Sequence, residues 1–458
     1  MENLTARAQA YALYFPSLQI GSAENLVMTA AEWQSSPLPA GLQPADFNYL
    51  EPQNRFWTYG YALASAEPFR TSSKNAVTNR DPSSFILGDS GGFQWGKGTG
   101  ATKNFTGLPE QDVCAAWRSS GILQDVVDWC DLQVDCAMTL DLPLWAKRPG
   151  SDSPFRVCTA DNLRALTIEH LQYVERRRKA GVQGCKYLNV LQGDPVADED
   201  WWYDGVKDFM FDGWSLAGGV GTDGGPYRII RRLLLLRDEG RFGGGRNWVH
   251  LLRQTRLPWA PFLTALQRGL RRCLGDEAFT ISFDSSTPYQ IGGKHEKYVE
   301  APLLTADPAT WMFNYHKFPT TYGYANEAVA MSLSATSCSS TKCGLCSQGK
   351  PHLPAAMTSP IAKLLTIQDL LPRKGTFDKR RVGKLFEETI FNHNVYTTVE
   401  AICRANEAVD KNQAPPQLVD AIGKVDEILH TQDWMTKVDA NRRVLEKALA
   451  FSATKHVL

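Results

Sequence analysis

Phe85-Ile86-Leu87-Gly88-Asp89 is an apolar run that ends abruptly on a carboxylate, and five other apolar runs of the chain likewise break off at a polar or Gly residue. They are Cys136–Asp141, Tyr187–Gln192, Trp214–Gly219, Trp248–Leu252 and Phe279–Asp284. Short continuous apolar runs suit strands buried on both faces, as in a parallel sheet. Helical patterns lie between them, over Leu163–Lys179 and Tyr227–Arg237. Strand–helix alternation predicts an α/β fold, and a closed barrel is one of its two common forms. Periodicity alone does not separate a barrel from an open sheet.

Outward from that region the signals weaken. Residues 1–80 hold the apolar stretch Ala8–Phe15 and then scattered Pro and Gly, which reads as an N-terminal cap that supplies the first strand. Residues 300–400 lack the alternation. After Pro415-Pro416, apolar residues at Leu418, Ile422, Val425 and Leu429 follow helical spacing, as do Val438, Leu445 and Leu449 less tidily, so a helical C-terminus is expected. The expected division is a barrel over 1–300, a metal-binding subdomain over 301–400 and C-terminal helices over 401–458.

Composition narrows the function classes. Lys+Arg and Asp+Glu both number 49, so no overall field draws the 458-residue chain to nucleic acid or membrane, and any such contact must come from local patches. No stretch approaches the ~18 uninterrupted apolar residues of a membrane span. The first residues show no charged leader followed by an apolar core. Of ten cysteines, only Cys338, Cys343 and Cys346 cluster, which is no disulfide framework and points to a reducing cytoplasm.

Three aspartates, Asp89, Asp141 and Asp284, close strand-like runs. One such Asp is commonplace as a loop or helix cap. Three on separate parallel strands open onto one mouth, where one carboxylate can attack an anomeric carbon and another move a proton on the leaving group. Asp89 begins Asp89-Ser90-Gly91-Gly92-Phe93-Gln94, where glycines allow close approach to a flat ligand and Phe93 can stack on it. Gln192 and the Gly218-Gly219 pair end two further runs and offer an amide and bare backbone N–H groups to the edge of a purine-like base. The spacing Cys338-x4-Cys343-x2-Cys346 suits Zn²⁺, and two histidines follow that can complete a tetrahedral site, His352 and His393.

The hexapeptide Asp-Ser-Gly-Gly-Phe-Gln resembles the signature of the tRNA-guanine transglycosylase superfamily, and the resemblance runs from about Phe85 to Ala401. It implies a (β/α)8 TIM barrel with an inserted zinc-binding subdomain. It also implies roles: Asp89 as general acid/base, Phe93 as the stacking aromatic, and Asp141 on the base's N1/2-amino edge. Gln192 in Val-Leu-Gln-Gly and Gly219, beside Gly218, would meet the carbonyl edge. Asp284 in Phe-Asp-Ser-Ser-Thr-Pro would be the nucleophile. A structural zinc would be held by Cys338, Cys343, Cys346 and His393, since His393-Asn394 resembles the family's His-Asn.

Departures from the family pattern bear on the polymer. The basic stretch that usually follows the nucleophile's Pro is replaced by Tyr289-Gln-Ile-Gly-Gly-Lys294, and the first two cysteines stand four residues apart instead of one. The base-handling residues are kept while the polynucleotide-gripping ones differ. That pattern resembles the DNA-guanine transglycosylases of bacterial and phage 7-deazaguanine modification systems. The implied partners are DNA in preference to tRNA, and a free 7-deazaguanine base such as preQ0 or preQ1, with a homodimer as the assembly to test. A divergent tRNA enzyme, a non-catalytic partner subunit and a barrel glycoside hydrolase are the competing readings. Arg176–Lys179, Arg228 with Arg231-Arg232, and Lys379–Arg381 are candidate phosphate contacts, each with the solvated face of a helix as its plainer reading. Gly96–Gly100 reads as a flexible loop and Trp201-Trp202 as packing.

Overall fold

A computed structural model describes residues 2–33, 38–39, 41–218, 225–254, 256–318, 330–338, 343, 346–370 and 379–450. Eight parallel strands form one sheet: β1 (Leu13–Pro16), β2 (Tyr61–Ser65), β3 (Phe85–Asp89), β4 (Cys136–Met138), β5 (Lys186–Leu191), β6 (Gly213–Leu216), β7 (Trp248–Leu251) and β8 (Thr280–Ser285). Neighbours in sequence are neighbours in the sheet, and β8 pairs with β1, Asp284 lying opposite Phe15. A single bridge between Ser17 and Leu63, with the Leu18 N–H donating to the Leu63 carbonyl at 2.8 Å, joins β1 to β2 and brings the ring to near closure. The architecture is therefore a barrel of the expected TIM-like kind.

Residue parity explains how the barrel fills. Alternate side chains of a strand face opposite sides. Leu13, Phe15, Leu63, Leu87, Cys136, Met138, Leu188 and Val190 form one buried cluster inside the ring, with Tyr61, Phe85 and Trp248 packed against it. The other parity, such as Ile86, Val249, Ile281 and Phe283, joins the larger core beneath the helices.

Helices alternate with the later strands. After β3 come α1 (Glu110–Ser119) and α2 (Ile122–Gln133), after β4 comes α3 (Ala160–Lys179), and after β5 α4 (Val196–Val206). Then α5 (Gly225–Asp238) follows β6, α6 (Trp259–Leu274) follows β7, and α7 (Thr287–His295) follows β8. In α3 the buried residues Leu163, Leu166, His170, Leu171 and Val174 fall at three- and four-residue spacing, and the Thr159 side chain caps the N-terminus by accepting from the Asn162 N–H.

Past α7, β9 (Lys297–Glu300) pairs antiparallel with β10 (Asn314–Lys317). The chain returns in the long helix α8 (Lys379–Asp410), which breaks from helical geometry at Gly383. Asn394 on α8 accepts from the Val299 N–H and donates to the Pro288 and Lys297 carbonyls, locking the helix to α7 and β9. A boundary at 300/301 separates the paired strands β9 and β10, and one at 400/401 cuts α8, which is continuous through both positions. The helices α9 (Pro416–Leu429) and α10 (Trp434–Ala450) then cover α6 and α5, Leu429 lying over Gly269, where even a methyl group would stand 2.2 Å from its Cδ1. No helix among the described residues is long and apolar enough to cross a membrane.

Candidate active site and metal-ligand cluster

Because all eight strands run the same way, the C-terminal ends of β3, β5 and β8 and the loop after β4 share one mouth. Asp89 is in phase with Phe85 and Leu87, Gln192 with Leu188 and Val190, and Asp284 with Ser282, so each follows the inward parity of its strand. Asp89 is held by the Gly91 N–H, which donates to Oδ1 at 3.2 Å, Gly91 having the positive φ (81°) the turn requires. Burial pushes the Asp89 carboxyl above its ordinary range; that hydrogen bond opposes the push, the charge of Asp284 adds to it, and Arg253 counters it.

The second glycine does a different job from the one the sequence suggested. A Cβ at Gly92 would stand 2.6 Å from the Asp141 carbonyl and 2.9 Å from its Oδ1. The space is taken by Asp141 itself. Burial, and then the charge of Asp89, raise the Asp141 carboxyl to about 7. Gln192 is buried and its amide is committed: Nε2 donates to Asp141 Oδ2 at 2.8 Å and to the Leu142 carbonyl, while Oε1 accepts from the Leu144 N–H at 2.7 Å. In this arrangement Gln192 holds Asp141, and both of its N–H donors are spent within the fold.

Asp284 is buried at the end of β8. Its Oδ1 accepts from the Arg253 N–H at 2.8 Å, and its carbonyl accepts from the Gln254 N–H. His250, fully buried, places Nε2 3.3 Å from the same Oδ1. Sequence reading passed over His250 as part of an apolar run. The signal that finds it is parity, because His250 is in phase with Trp248 on the inner face, as Ser282 is with Asp284.

Phe93 stands at the rim. The Arg253 guanidinium lies 3.9 Å from its ring centroid and the Lys97 ammonium 4.4 Å, with Trp145 tilted against it at 5.2 Å. Gly218 has φ 74° and sits close over Gly193, which explains a glycine there. Gly219 lies outside the described residues. Gly96–Gly100 joins a short helix (Gly92–Gly96) to a 3-10 turn (Gly100–Phe105), and Gly96 is pressed on Pro143 and Trp145. Trp202 is buried, as expected of a packing residue.

Cys338, Cys343, Cys346 and His352 bring one ligand atom each to within 4.8 Å of one another. Cys338 and Cys346 sulfurs are 3.6 Å apart, close to the about 3.8 Å that tetrahedral zinc–thiolate geometry gives. Cys343 Sγ lies 3.1 Å from His352 Nε2. The four residues could therefore hold a metal ion. His393, the ligand implied by the family resemblance, is not among them. It is buried on α8 with Nε2 2.8 Å from the Val299 carbonyl and Nδ1 accepting from the Ser359 N–H, so both nitrogens serve the fold. Burial accordingly lowers its pKa to about 4.

Two basic clusters are accounted for within the fold. Arg228 and Arg232 are buried, pairing with Glu199, and Arg228 also with Asp194 and Arg232 with Asp200; Arg231 pairs with Asp200 as well. Arg177 pairs with Asp128 and Asp131, and Arg178 with Asp212, at the α3 end that precedes β5, away from the mouth. The side chains of Lys379–Arg381 lie outside the described residues. Neither models of known protein families nor curated proteins give a match to this chain.

Proposed function

We propose that the chain is a base-exchanging guanine transglycosylase that replaces guanine in a polynucleotide, DNA in preference to tRNA, with a 7-deazaguanine. The observation that carries this reading is the convergence of three aspartates with different surroundings on one barrel mouth: Asp89 held toward its protonated form, Asp141 near half-ionised at neutrality, and Asp284 anchored by a backbone donor. A carboxyl held toward its protonated form near one anchored by a backbone donor suits the acid and nucleophile roles, and Asp141 suits recognition.

Asp284 attacks C1′ as the C1′–N9 bond breaks, and protonated Asp89 delivers its proton to the departing guanine. A 7-deazaguanine then gives its N9 proton to Asp89 and displaces the Asp284 carboxylate from C1′, restoring both groups. Two inversions retain the configuration, and one glycosidic bond replaces another, so no external energy source is needed. Ionised Asp141 accepts from N1–H and the 2-amino group, with Gln192 holding it, and Phe93 supplies a stacking face. The target nucleoside reaches this depth only when flipped from a duplex or offered unpaired. A zinc at Cys338, Cys343, Cys346 and His352 would be structural, since four protein ligands leave no open position.

The test is exchange of labelled guanine into a DNA duplex, the same sequence as RNA, and unmodified tRNA. Label in DNA alone is the expected result. Label in tRNA alone moves the chain to the tRNA branch, and label in none removes the transglycosylase reading.

A further inference from the structure

Beneath Asp284 lies a run of polar contacts that begins at a residue with one possible role. The Trp248 indole N–H is a donor only, and it donates to Ser282 Oγ at 2.8 Å. Ser282 Oγ lies 2.9 Å from His250 Nδ1, and His250 Nε2 lies 3.3 Å from Asp284 Oδ1. Ser282 and His250 are both fully buried, so water does not complete their hydrogen bonding. If Nδ1 carried the imidazole hydrogen, the Ser282 hydroxyl hydrogen would lack an acceptor among the described residues, and a bare Nε2 lone pair would face a carboxylate. With the hydrogen on Nε2, Trp248 gives to Ser282 and Ser282 gives to His250, and the Nε2–H, which has no hydrogen-bond partner elsewhere among the described residues, is left 3.3 Å from Asp284 Oδ1.

We infer that His250 is a positioning residue for Asp284, its tautomer set by Ser282 and Trp248 so that Nε2–H faces Oδ1. This rests on the reading of Asp284 as nucleophile. The Arg253 N–H donates to Oδ1 and the unpartnered His250 Nε2–H stands 3.3 Å from the same oxygen, which leaves Oδ2 to form the bond to C1′. The histidine thereby selects which oxygen attacks and fixes the carboxylate plane before substrate arrives.

Two measurements test this on the full-length protein. In ¹⁵N NMR of the histidine-labelled chain, with the His250 signals assigned by their loss in His250→Gln, the expected state is the Nε2–H tautomer, becoming mixed in Ser282→Ala. An Nδ1–H tautomer in the wild type, or no change in Ser282→Ala, overturns the inference whether or not the protein exchanges bases. In exchange kinetics, His250→Phe should lower kcat by about ten- to a hundredfold, the size of a hydrogen bond to a charged group, with KM for the free base unchanged. His250→Gln, which retains an N–H donor, should recover much of the loss. A His250→Phe variant with wild-type kcat, or a loss that falls on KM and is not rescued by Gln, refutes the positioning role. Absence of exchange by the wild type on all three polymers refutes the transglycosylase reading instead and leaves the tautomer result standing.

Discussion

Asp141 has to be charged to accept two hydrogen bonds from a guanine-like base, yet burial lifts its carboxyl to about 7. The group gains its proton as pH falls through that value, so base affinity should drop below it, by about tenfold per pH unit once well below. Titrating base binding from about pH 8 to about pH 5 checks this, and Asp141→Asn should remove the dependence; a flat profile in the wild type would show that Asp141 does not read the base. At Asp284 the expectation concerns covalency: Asp284→Asn should abolish the sugar–enzyme adduct, visible by mass spectrometry after denaturation. Retention of more than a few per cent of exchange would give the nucleophile's role to another residue. The places of Asp89 and Asp284 were legible in the sequence because an apolar run ending on a carboxylate puts that carboxylate at a strand end, whereas β4 stops at Met138 and leaves Asp141 in the loop that follows. The committed amide of Gln192 and the place of Gly92 against Asp141 were not, since both depend on where the loop after β4 turns. His250 was half legible: its parity was visible, its partners came from the neighbouring strand.

Among the elements, β3 was read to the residue and β4 to β8 to within a few, because parallel strands buried on both faces read as short, mainly apolar runs. The strands β1 and β2 gave less. Each is flanked by irregular segments, and Tyr61–Ser65 carries small residues that leave no apolar pattern. The metal-ligand cluster and α8 show how a local resemblance misleads: His393-Asn394 sits where a ligand was expected, but α8 turns that histidine toward β9 and Ser359. His352→Ala should therefore lower metal content and melting temperature together, since a structural ion's binding energy is folding energy. His393→Ala should lower the melting temperature with metal content intact, because it leaves the Val299 carbonyl and Ser359 N–H unpaired. Metal analysis on the two purified variants distinguishes them, and loss of metal from His393→Ala alone would restore the assignment made from sequence.

At the scale of the whole molecule, Glu388 of α8 is a buried carboxyl that ties this helix to the short N-terminal helix Ile20–Asn25, accepting from Ser22 Oγ at 2.7 Å and Asn25 Nδ2 at 2.8 Å. Burial raises it to about 8, against opposition from those two hydrogen bonds. The folded state then holds a proton that the unfolded chain has released, so stability should fall as pH rises from about 4.5 through about 8 and level off above. Glu388→Gln keeps the contacts without the titration and should flatten this part of the melting curve against pH. An unchanged slope would place the pH sensitivity elsewhere.

The pairing of β1 with β8 also has a consequence for how the protein is made. Leu13–Pro16 is the first barrel strand to leave the ribosome, and its main partner, Ser282–Ser285, is among the last barrel residues translated. At ordinary elongation rates that interval is on the order of tens of seconds, during which the nascent strand has only its slender bridge to β2 to occupy it. An apolar segment with open backbone groups is a template for stray pairing. The ring is thus completed at its oldest segment, and shielding of residues 8–18 from stray pairing is the step in biogenesis on which the yield of folded protein should depend.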